Sequence, residues 1–178
     1  AVSAVLTPAI TWVHHEAGAE YYEQHGALFD PSLLEDIEHT GVCLKGPTAT
    51  PVGTGFRSIN VQLRQAFHTN ISLRPVHSLP GVNSRYEDVD IVIFRENSED
   101  LYKGVEYMYD RDTAHGIKII SKEASANIIT ASFDYARKHH RHKVTCVHKA
   151  NIMKLTDGLF LHTFEDIAKQ YPDIESNA

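Results

Sequence analysis

Apolar and polar positions along the chain follow two periods, which predict a mixed order of helices and strands. A helical spacing of apolar residues recurs in five segments, at residues 17–24, 32–37, 57–67, 121–139 and 157–169. Short β-branched or aromatic runs predict strands at residues 10–13, 41–44, 70–76, 89–94 and 144–147. The almost wholly apolar run 89–94 is typical of a strand covered on both faces, and so favours an α/β sheet.

Two segments between these elements carry turn signals. Three glycines and two prolines between Lys45 and Gly55 predict a loop with unusual backbone angles. Short alternating patterns on either side of Asp110 predict a hairpin or a small excursion within 104–120. Helix boundaries are also marked, since Gly26 follows the first helical segment and Ser121 can cap the long one.

Composition narrows the classes of protein that fit this pattern. The chain has 178 residues and a formal net charge of −6, with no long Lys/Arg block, which argues against a nucleic-acid partner. No apolar run approaches the roughly 18–20 residues of a membrane span. Cys43 and Cys146 lie in apolar runs, so we expect two buried free thiols in a reducing compartment. The histidines of the run His139–His142 are interpreted as a helix end and its exit loop rather than a metal site.

The helical segment 57–67 carries a candidate anion site. Arg57, Asn60 and Arg64 fall within about 60° of one another at 100° per residue, away from the apolar stripe. Ser58 lies in the first turn, where backbone N–H groups are free to bind an anion. The alternative is an ordinary solvated helix face.

Two further arginines follow strand segments. Arg74 follows residues 70–73 and Arg95 follows residues 91–94, so we expect both at carboxyl ends of strands, where α/β sheets bind ligands. Together with Arg64 they could converge on a small molecule with several carboxylates. Guanidinium groups bind carboxylates in a bidentate manner, which explains arginine here in preference to lysine.

Tyr102 and Lys149 are candidates for proton transfer. Each lies just beyond a strand or loop in a locally apolar setting. Phenols and ammonium groups ordinarily titrate near about pH 10. A cationic neighbourhood favours the deprotonated form of both groups, and burial favours the neutral amine of a lysine. The alternative is that both are surface or packing residues.

Five linked segments resemble the signatures of one enzyme family. These segments are residues 45–53, 57–64, 73–75, 94–104 and 147–154. In order and spacing they are similar to the isocitrate dehydrogenases, which are β-decarboxylating dehydrogenases related to the isopropylmalate and homoisocitrate enzymes. The pair Ser58 and Asn60 resembles the isocitrate users, since the equivalent helix of isopropylmalate users is more apolar.

The resemblance implies an enzyme that oxidises and decarboxylates isocitrate to 2-oxoglutarate and carbon dioxide while reducing NAD or NADP. It implies that Lys149 takes the hydroxyl proton and that Tyr102 protonates C3 of the enolate. It assigns Lys45 and Thr50 to the nicotinamide side of the site, and Mg²⁺ or Mn²⁺ to the reacting oxygens. The carboxylates of the substrate would be held by Ser58, Asn60, Arg64, Arg74 and Arg95. A second identical subunit would complete the site, with Lys149 acting in the pocket of its partner.

The fold implied is a three-layer α/β/α architecture with a large and a small domain, incomplete in this chain. Residues 1–69 would begin the large domain, 70–99 with 122–178 would form the small domain, and 100–121 would form a clasp between subunits. The metal-binding aspartates and the adenine loop of the family lie beyond the equivalent of Ala178, so we expect no metal ligand here and no activity from this chain alone. The alternatives are a truncated non-catalytic homologue with a structural or regulatory role, and a homoisocitrate or isopropylmalate dehydrogenase. The expected compartment is the cytoplasm, with the mitochondrial matrix as the alternative.

Overall fold

The computed structural model describes residues 10–48 and 58–178. The chain divides into two compact units, residues 1–67 and 68–178. The assignment of 1–69 and of the later segments to a large domain, a small domain and a clasp stays a prediction. Helices and strands are mixed along the chain, which agrees with the predicted α/β class. Among the described residues, no helix is both long and apolar enough to cross a membrane.

The described part of the first unit contains three helices, at the places where the sequence predicts them. They are α1 (Ala19–His25), α2 (Ser32–Thr40) and α3 (Ile59–Ala66). Gly26 and Gly41 end α1 and α2 in the left-handed conformation, with φ of 69° and 68°, which glycine adopts without a steric cost. Before α2, the Asp30 carboxylate accepts a hydrogen bond from the Ser32 N–H at 2.9 Å.

The strands predicted at 10–13 and 41–44 are wrong, because both segments are irregular. Val42 and Leu44 are 79% and 68% exposed, and Cys43 is exposed rather than buried. A β-branched run forms a strand only when another strand satisfies its backbone hydrogen bonds, and none pairs with either run in the described part of this unit.

The second unit contains three two-stranded sheets among its described residues. β1 (Ile71–His77) pairs antiparallel with β2 (Asp90–Glu96), and β3 (Glu106–Met108) pairs antiparallel with β4 (Ala114–Gly116). The pair β3 and β4 confirms the predicted hairpin. β5 (Lys143–Thr145) pairs in parallel with β6 (Glu175–Asn177) and ends before Val147, which is 87% exposed.

Two helices, α4 (Lys122–Lys138) and α5 (Thr156–Ala168), carry the core of this unit. The Ser121 hydroxyl accepts a hydrogen bond from the Ala124 N–H at 3.1 Å and so caps α4 as predicted. The ring of Phe133 is fully buried and lies 5.5 Å from the Phe164 ring and 4.8 Å from the Tyr171 ring. These three aromatic rings fix the packing of α4, α5 and the segment that follows α5.

The α4 side of the β1–β2 ribbon is covered, and the opposite side is open. Phe94 in β2 packs edge-on against Tyr135 of α4, with ring centroids 5.3 Å apart. Ile91 and Ile93 point to the opposite side and are 51% and 45% exposed. The prediction that this strand is covered on both faces is therefore wrong for the described residues. The sequence of β2 does not reveal which residues face α4, because the open face of the strand also carries isoleucines.

The buried thiol in the second unit agrees with the sequence prediction. Cys146 is buried directly after β5, and burial raises the pKa of its thiol to about 11. The histidines after α4 lie in the exit from the helix, with His139 in the C-cap position. No group of three His, Cys, Asp or Glu side chains among the described residues could hold a metal ion.

Candidate functional site

Arg95 and Tyr102, predicted separately, are in direct contact. Arg95 lies at the end of β2, and Tyr102 lies in a 3-10 helix, Leu101–Lys103, that follows it. A guanidinium N–H of Arg95 donates to the Tyr102 hydroxyl at 2.5 Å, and the guanidinium carbon lies 5.4 Å from the ring centroid. The arrangement therefore places a cation and a phenol on one surface, where both can meet an anionic ligand.

Arg74 and Arg95 share a face of the β1–β2 ribbon. Ser72 pairs with Arg95, and Arg74 pairs with Ile93, so the two arginines are diagonal neighbours, about 7–8 Å apart by strand geometry. Arg74 lies within β1 and not after it. The prediction that Arg74 and Arg95 both lie at the carboxyl ends of strands is therefore wrong for Arg74. The strands are antiparallel, and the arginines converge because side chains alternate between faces. The Nε–H of Arg74 donates to the Ser72 hydroxyl at 3.2 Å.

Ser58, Asn60 and Arg64 lie at the start and along α3 in the first unit. Ser58 is the N-cap residue, and its carbonyl accepts the N–H groups of Val61 and Gln62 at 3.0 and 3.1 Å. Its side chain makes no capping hydrogen bond. Asn60 and Arg64 are four residues apart on a helix and so share a face, and both are half-buried. Arg57 and Thr50 lie outside the described residues.

Lys45, also in the first unit, lies in an exposed irregular segment after α2. Its ammonium donates to the Gly46 carbonyl at 2.5 Å and lies 3.3 Å from the Thr48 hydroxyl. These contacts are local. A role for Lys45 and Thr50 next to a nicotinamide ring therefore remains a prediction.

Lys149 lies in a turn after β5, and its main chain is held at both ends. Its N–H donates to the Asp157 carboxylate at 2.8 Å, and its carbonyl accepts the N–H groups of Ile152 and Met153 at 3.0 and 2.9 Å. The neighbouring His148 is half-buried, and its ring nitrogen accepts the Ala150 N–H at 3.0 Å. Lys149 itself is exposed, so a fixed backbone presents its side chain.

Asp157 and Lys118 are residues that the sequence interpretation did not single out. Asp157 is 7% exposed and accepts the Lys118 ammonium at 2.6 Å. The same ammonium lies 3.6 Å from the Asp100 carboxylate, two residues before Tyr102. The sequence could have pointed to Asp157, because an acidic residue in the first turn of a predicted helix complements the helix dipole.

The charge states of this pair follow from its contacts. Burial disfavours the charged form of Asp157, but hydrogen bonds from the Lys118 ammonium and the Lys149 N–H outweigh burial, and the pKa of Asp157 is lowered. Burial also acts to lower the pKa of Lys118, while the two carboxylates act in the opposite direction and prevail, so this pKa is raised. Both groups are therefore charged near neutral pH.

The second unit also contains a cleft of about 970 Å³, which is not lined by Arg74, Arg95, Tyr102 or Lys149. It lies between β2, α4 and β5 and has mainly apolar walls that include Val92, Phe94, Ile129 and Phe164. Of the predicted site residues that belong to this unit, none lines the cleft. A polar tricarboxylate would gain little from such walls, so the surface of Arg74, Arg95 and Tyr102 is the better candidate within this unit.

Comparison with known proteins gives consistent matches. The family model described as isocitrate/isopropylmalate dehydrogenase matches residues 2–178. The chain is 40% identical over 166 residues to the chloroplastic 3-isopropylmalate dehydrogenase of Solanum tuberosum, covering 93% of this chain and 46% of that protein. The chain is 41% identical over 176 residues to catalytic subunit 5 of the mitochondrial NAD isocitrate dehydrogenase of Arabidopsis thaliana. This match covers 97% of this chain and 47% of that protein. It is also 46% identical over 160 residues to regulatory subunit 1 of that enzyme, covering 89% and 44%.

A solved structure shows the same fold. The crystal structure of isocitrate dehydrogenase from Methylococcus capsulatus superposes with a TM-score of 0.86 at 44% identity. The match covers 90% of this chain and 49% of that one. The chain thus spans about half the length of these relatives.

Proposed function

Since the chain belongs to the isocitrate/isopropylmalate dehydrogenase family, we propose that the complete protein oxidises and decarboxylates isocitrate to 2-oxoglutarate and carbon dioxide, with NAD or NADP as hydride acceptor. The observation that carries this proposal is the contact between Arg95 and Tyr102. It brings a group that can hold a carboxylate to within one hydrogen bond of a group that can deliver a proton.

In the proposed reaction the arginines act by binding and orientation. Arg74 and Arg95 project from one face and offer guanidinium groups to carboxylates of the substrate. The family resemblance, and not a contact between the two units, assigns the remaining oxygens of the substrate to Ser58, Asn60 and Arg64, which carry a hydroxyl, an amide and a third guanidinium on α3 of the first unit. We expect this set of donors to favour a substrate with three carboxylates over a more apolar one.

Two proton transfers accompany the change in the substrate. The Lys149 amine takes the proton of the C2 hydroxyl as the hydride leaves C2 for the nicotinamide, which leaves a ketone. The bond from C3 to its carboxylate then breaks, carbon dioxide leaves, and the electron pair remains as an enolate. The Tyr102 hydroxyl delivers the proton that restores C3. In the proposed dimer of identical subunits, Lys149 performs its step in the pocket of the second copy.

The resemblance also implies a divalent metal ion, Mg²⁺ or Mn²⁺, which would supply Lewis-acid polarisation of the substrate oxygens. The described residues do not fit such an ion, because they contain no suitable group of three ligands. The steps above are therefore assigned to side chains of this chain alone.

The test is reduction of NAD and NADP by the complete protein with isocitrate, homoisocitrate and 3-isopropylmalate as substrates. We expect turnover with isocitrate, and large losses of kcat in the variants Tyr102→Phe and Lys149→Ala with unchanged unfolding curves. Turnover confined to the other two acids would refute the interpretation of Ser58 and Asn60. Near-normal kcat in both variants would refute the assigned proton transfers.

A second candidate function is that of a regulatory subunit, which the 46% identity to such a subunit favours. In that case the purified protein has no activity alone and changes the activity of a catalytic subunit on mixing. Assays of the protein alone and mixed with a catalytic relative distinguish the two functions. The mitochondrial location in the names of the two Arabidopsis relatives supports the mitochondrial matrix over the cytoplasm as the compartment.

A further inference from the structure

A partly buried ion pair connects the two segments that carry the proposed proton-transfer residues. The Asp157 carboxylate binds the Lys149 N–H through one oxygen at 2.8 Å and the Lys118 ammonium through the other at 2.6 Å. The same ammonium lies 3.6 Å from Asp100, the N-cap residue of the 3-10 helix that contains Tyr102. All of these residues belong to the second unit.

The contact with Asp157 constrains Lys149 at its backbone nitrogen, which is bonded to the Cα that carries the side chain. A charged carboxylate that accepts a backbone N–H forms a stronger hydrogen bond than a neutral acceptor does. Because the Lys149 carbonyl is also bound, by two N–H groups, rotation of its peptide units is restricted on both sides. The direction in which the side chain leaves the backbone is therefore set by Asp157 and by the turn at 150–153.

Lys118 keeps this carboxylate charged and in place. The side chain of Lys118 is 22% exposed and that of Asp157 is 10% exposed, so water does not readily replace either partner. At its other contact, Lys118 faces Asp100, whose φ of 60° and ψ of −142° are unusual for a residue other than glycine. The Asp100 N–H is held by the Ile119 carbonyl at 2.8 Å, next to Lys118.

We propose that Asp157, with its partner Lys118, is a positioning residue that holds Lys149 in the geometry required for proton abstraction. This inference rests on the proposed function, because it assigns Asp157 a role only through Lys149. Loss of the carboxylate lets the turn at Lys149 move. A displacement of about 1 Å of a catalytic group can cost on the order of 100-fold in rate.

The test uses two substitutions of Asp157 in the complete protein, with isocitrate and the preferred nucleotide. Asp157→Ala removes the contacts with the Lys149 N–H and the Lys118 ammonium, whereas Asp157→Asn keeps an oxygen for the Lys149 N–H but loses the charge opposite Lys118. We expect kcat to fall by about 10- to 100-fold in the first and less in the second, with KM for isocitrate changed by less than about threefold. The matched control is Asp173→Asn, which removes an exposed ion pair with Arg137 in the same unit and should leave kcat unchanged.

A double-mutant cycle with Lys149→Met separates positioning from a structural role. If Asp157 acts through Lys149, adding Asp157→Ala to the Lys149→Met background should lower the residual kcat by less than about twofold. A purely structural role predicts a full, additive loss. Lys118→Arg, which keeps the charge, should retain more activity than Lys118→Met.

The outcomes distinguish this inference from the proposed function. Large loss in Lys149→Met with unchanged kcat in Asp157→Ala would overturn the inference and leave the proposed function standing. Unchanged kcat in Lys149→Met would overturn both. If Asp157→Ala does not fold, Asp157→Asn decides, because it has the same size. An equal rise of KM and fall of kcat in that variant would contradict positioning of Lys149.

Discussion

Replacement of Phe133 by alanine is expected to destabilise the second unit by about 4 kcal/mol. The side chain projects from α4 and is fully buried against α5 and Tyr171, so its whole apolar surface returns to water on unfolding. Burial of about 150–200 Å² at about 25 cal/mol per Å² accounts for roughly 4–5 kcal/mol, within the usual range for Phe→Ala changes. The rings of Phe164 and Tyr171 also lose their stacking partner.

The prediction is checked by guanidinium chloride unfolding of the complete protein, followed by far-ultraviolet circular dichroism. A change of about 4 kcal/mol corresponds to about a thousandfold shift in the unfolding equilibrium. Leu79→Ala is the control, because Leu79 is 65% exposed in the connection between β1 and β2. A loss below about 1 kcal/mol in Phe133→Ala, or an equal loss in the control, would show that this ring is not central to the core.

Three further predictions concern single groups of the second unit. Because the folded pKa of Asp157 is lowered, its contribution to stability is complete above the unfolded value of about 3.9 and is lost as pH falls through the folded value. Urea unfolding at pH 7 and pH 3 should therefore show a smaller difference between wild type and Asp157→Asn at pH 3. Cys146 is buried and its thiol has a pKa of about 11, so it should resist iodoacetamide at pH 8 in the native protein, whereas exposed Cys43 should react. Peptide mass spectrometry measures the labelling of both cysteines. Rapid labelling of Cys146 would contradict its burial. Ser121→Ala should cost about 1 kcal/mol through loss of the α4 cap, and Ser121→Asp should cost less; equal losses in chemical unfolding would argue against the capping bond.

Helices were predicted from the sequence more successfully than strands, for a physical reason. A helix satisfies its own backbone, so the apolar spacing of α4, its Ser121 cap and the glycine after α1 are local signals. A strand requires a partner, and residues 41–44 have the composition of a strand without a pairing strand among the described residues. The hairpin of β3 and β4 was predictable because its partner lies a few residues away.

The residues of the candidate site were predictable individually, whereas their contacts were not. Arg95 and Tyr102 could be named from their positions after a strand, but their hydrogen bond depends on the 3-10 turn. The expected placement of Arg74 failed because antiparallel pairing cannot be inferred from an apolar run. Lys118 and Asp157 are 39 residues apart, and a contact at that separation leaves no periodic trace.

Because β1 and β2 pair in a fixed register, the strand residues should tolerate insertions and deletions less well than the connection between the two strands. The connection at 79–88 can gain or lose a residue at little entropic cost, since closure of a loop depends only weakly on its length. Deleting one residue between Ser72 and Arg74 would turn the arginine toward α4 and away from Arg95, because side chains alternate along a strand. Relatives of this protein in which both arginines bind the substrate should therefore vary in length across 79–88 and keep a constant spacing across 72–74.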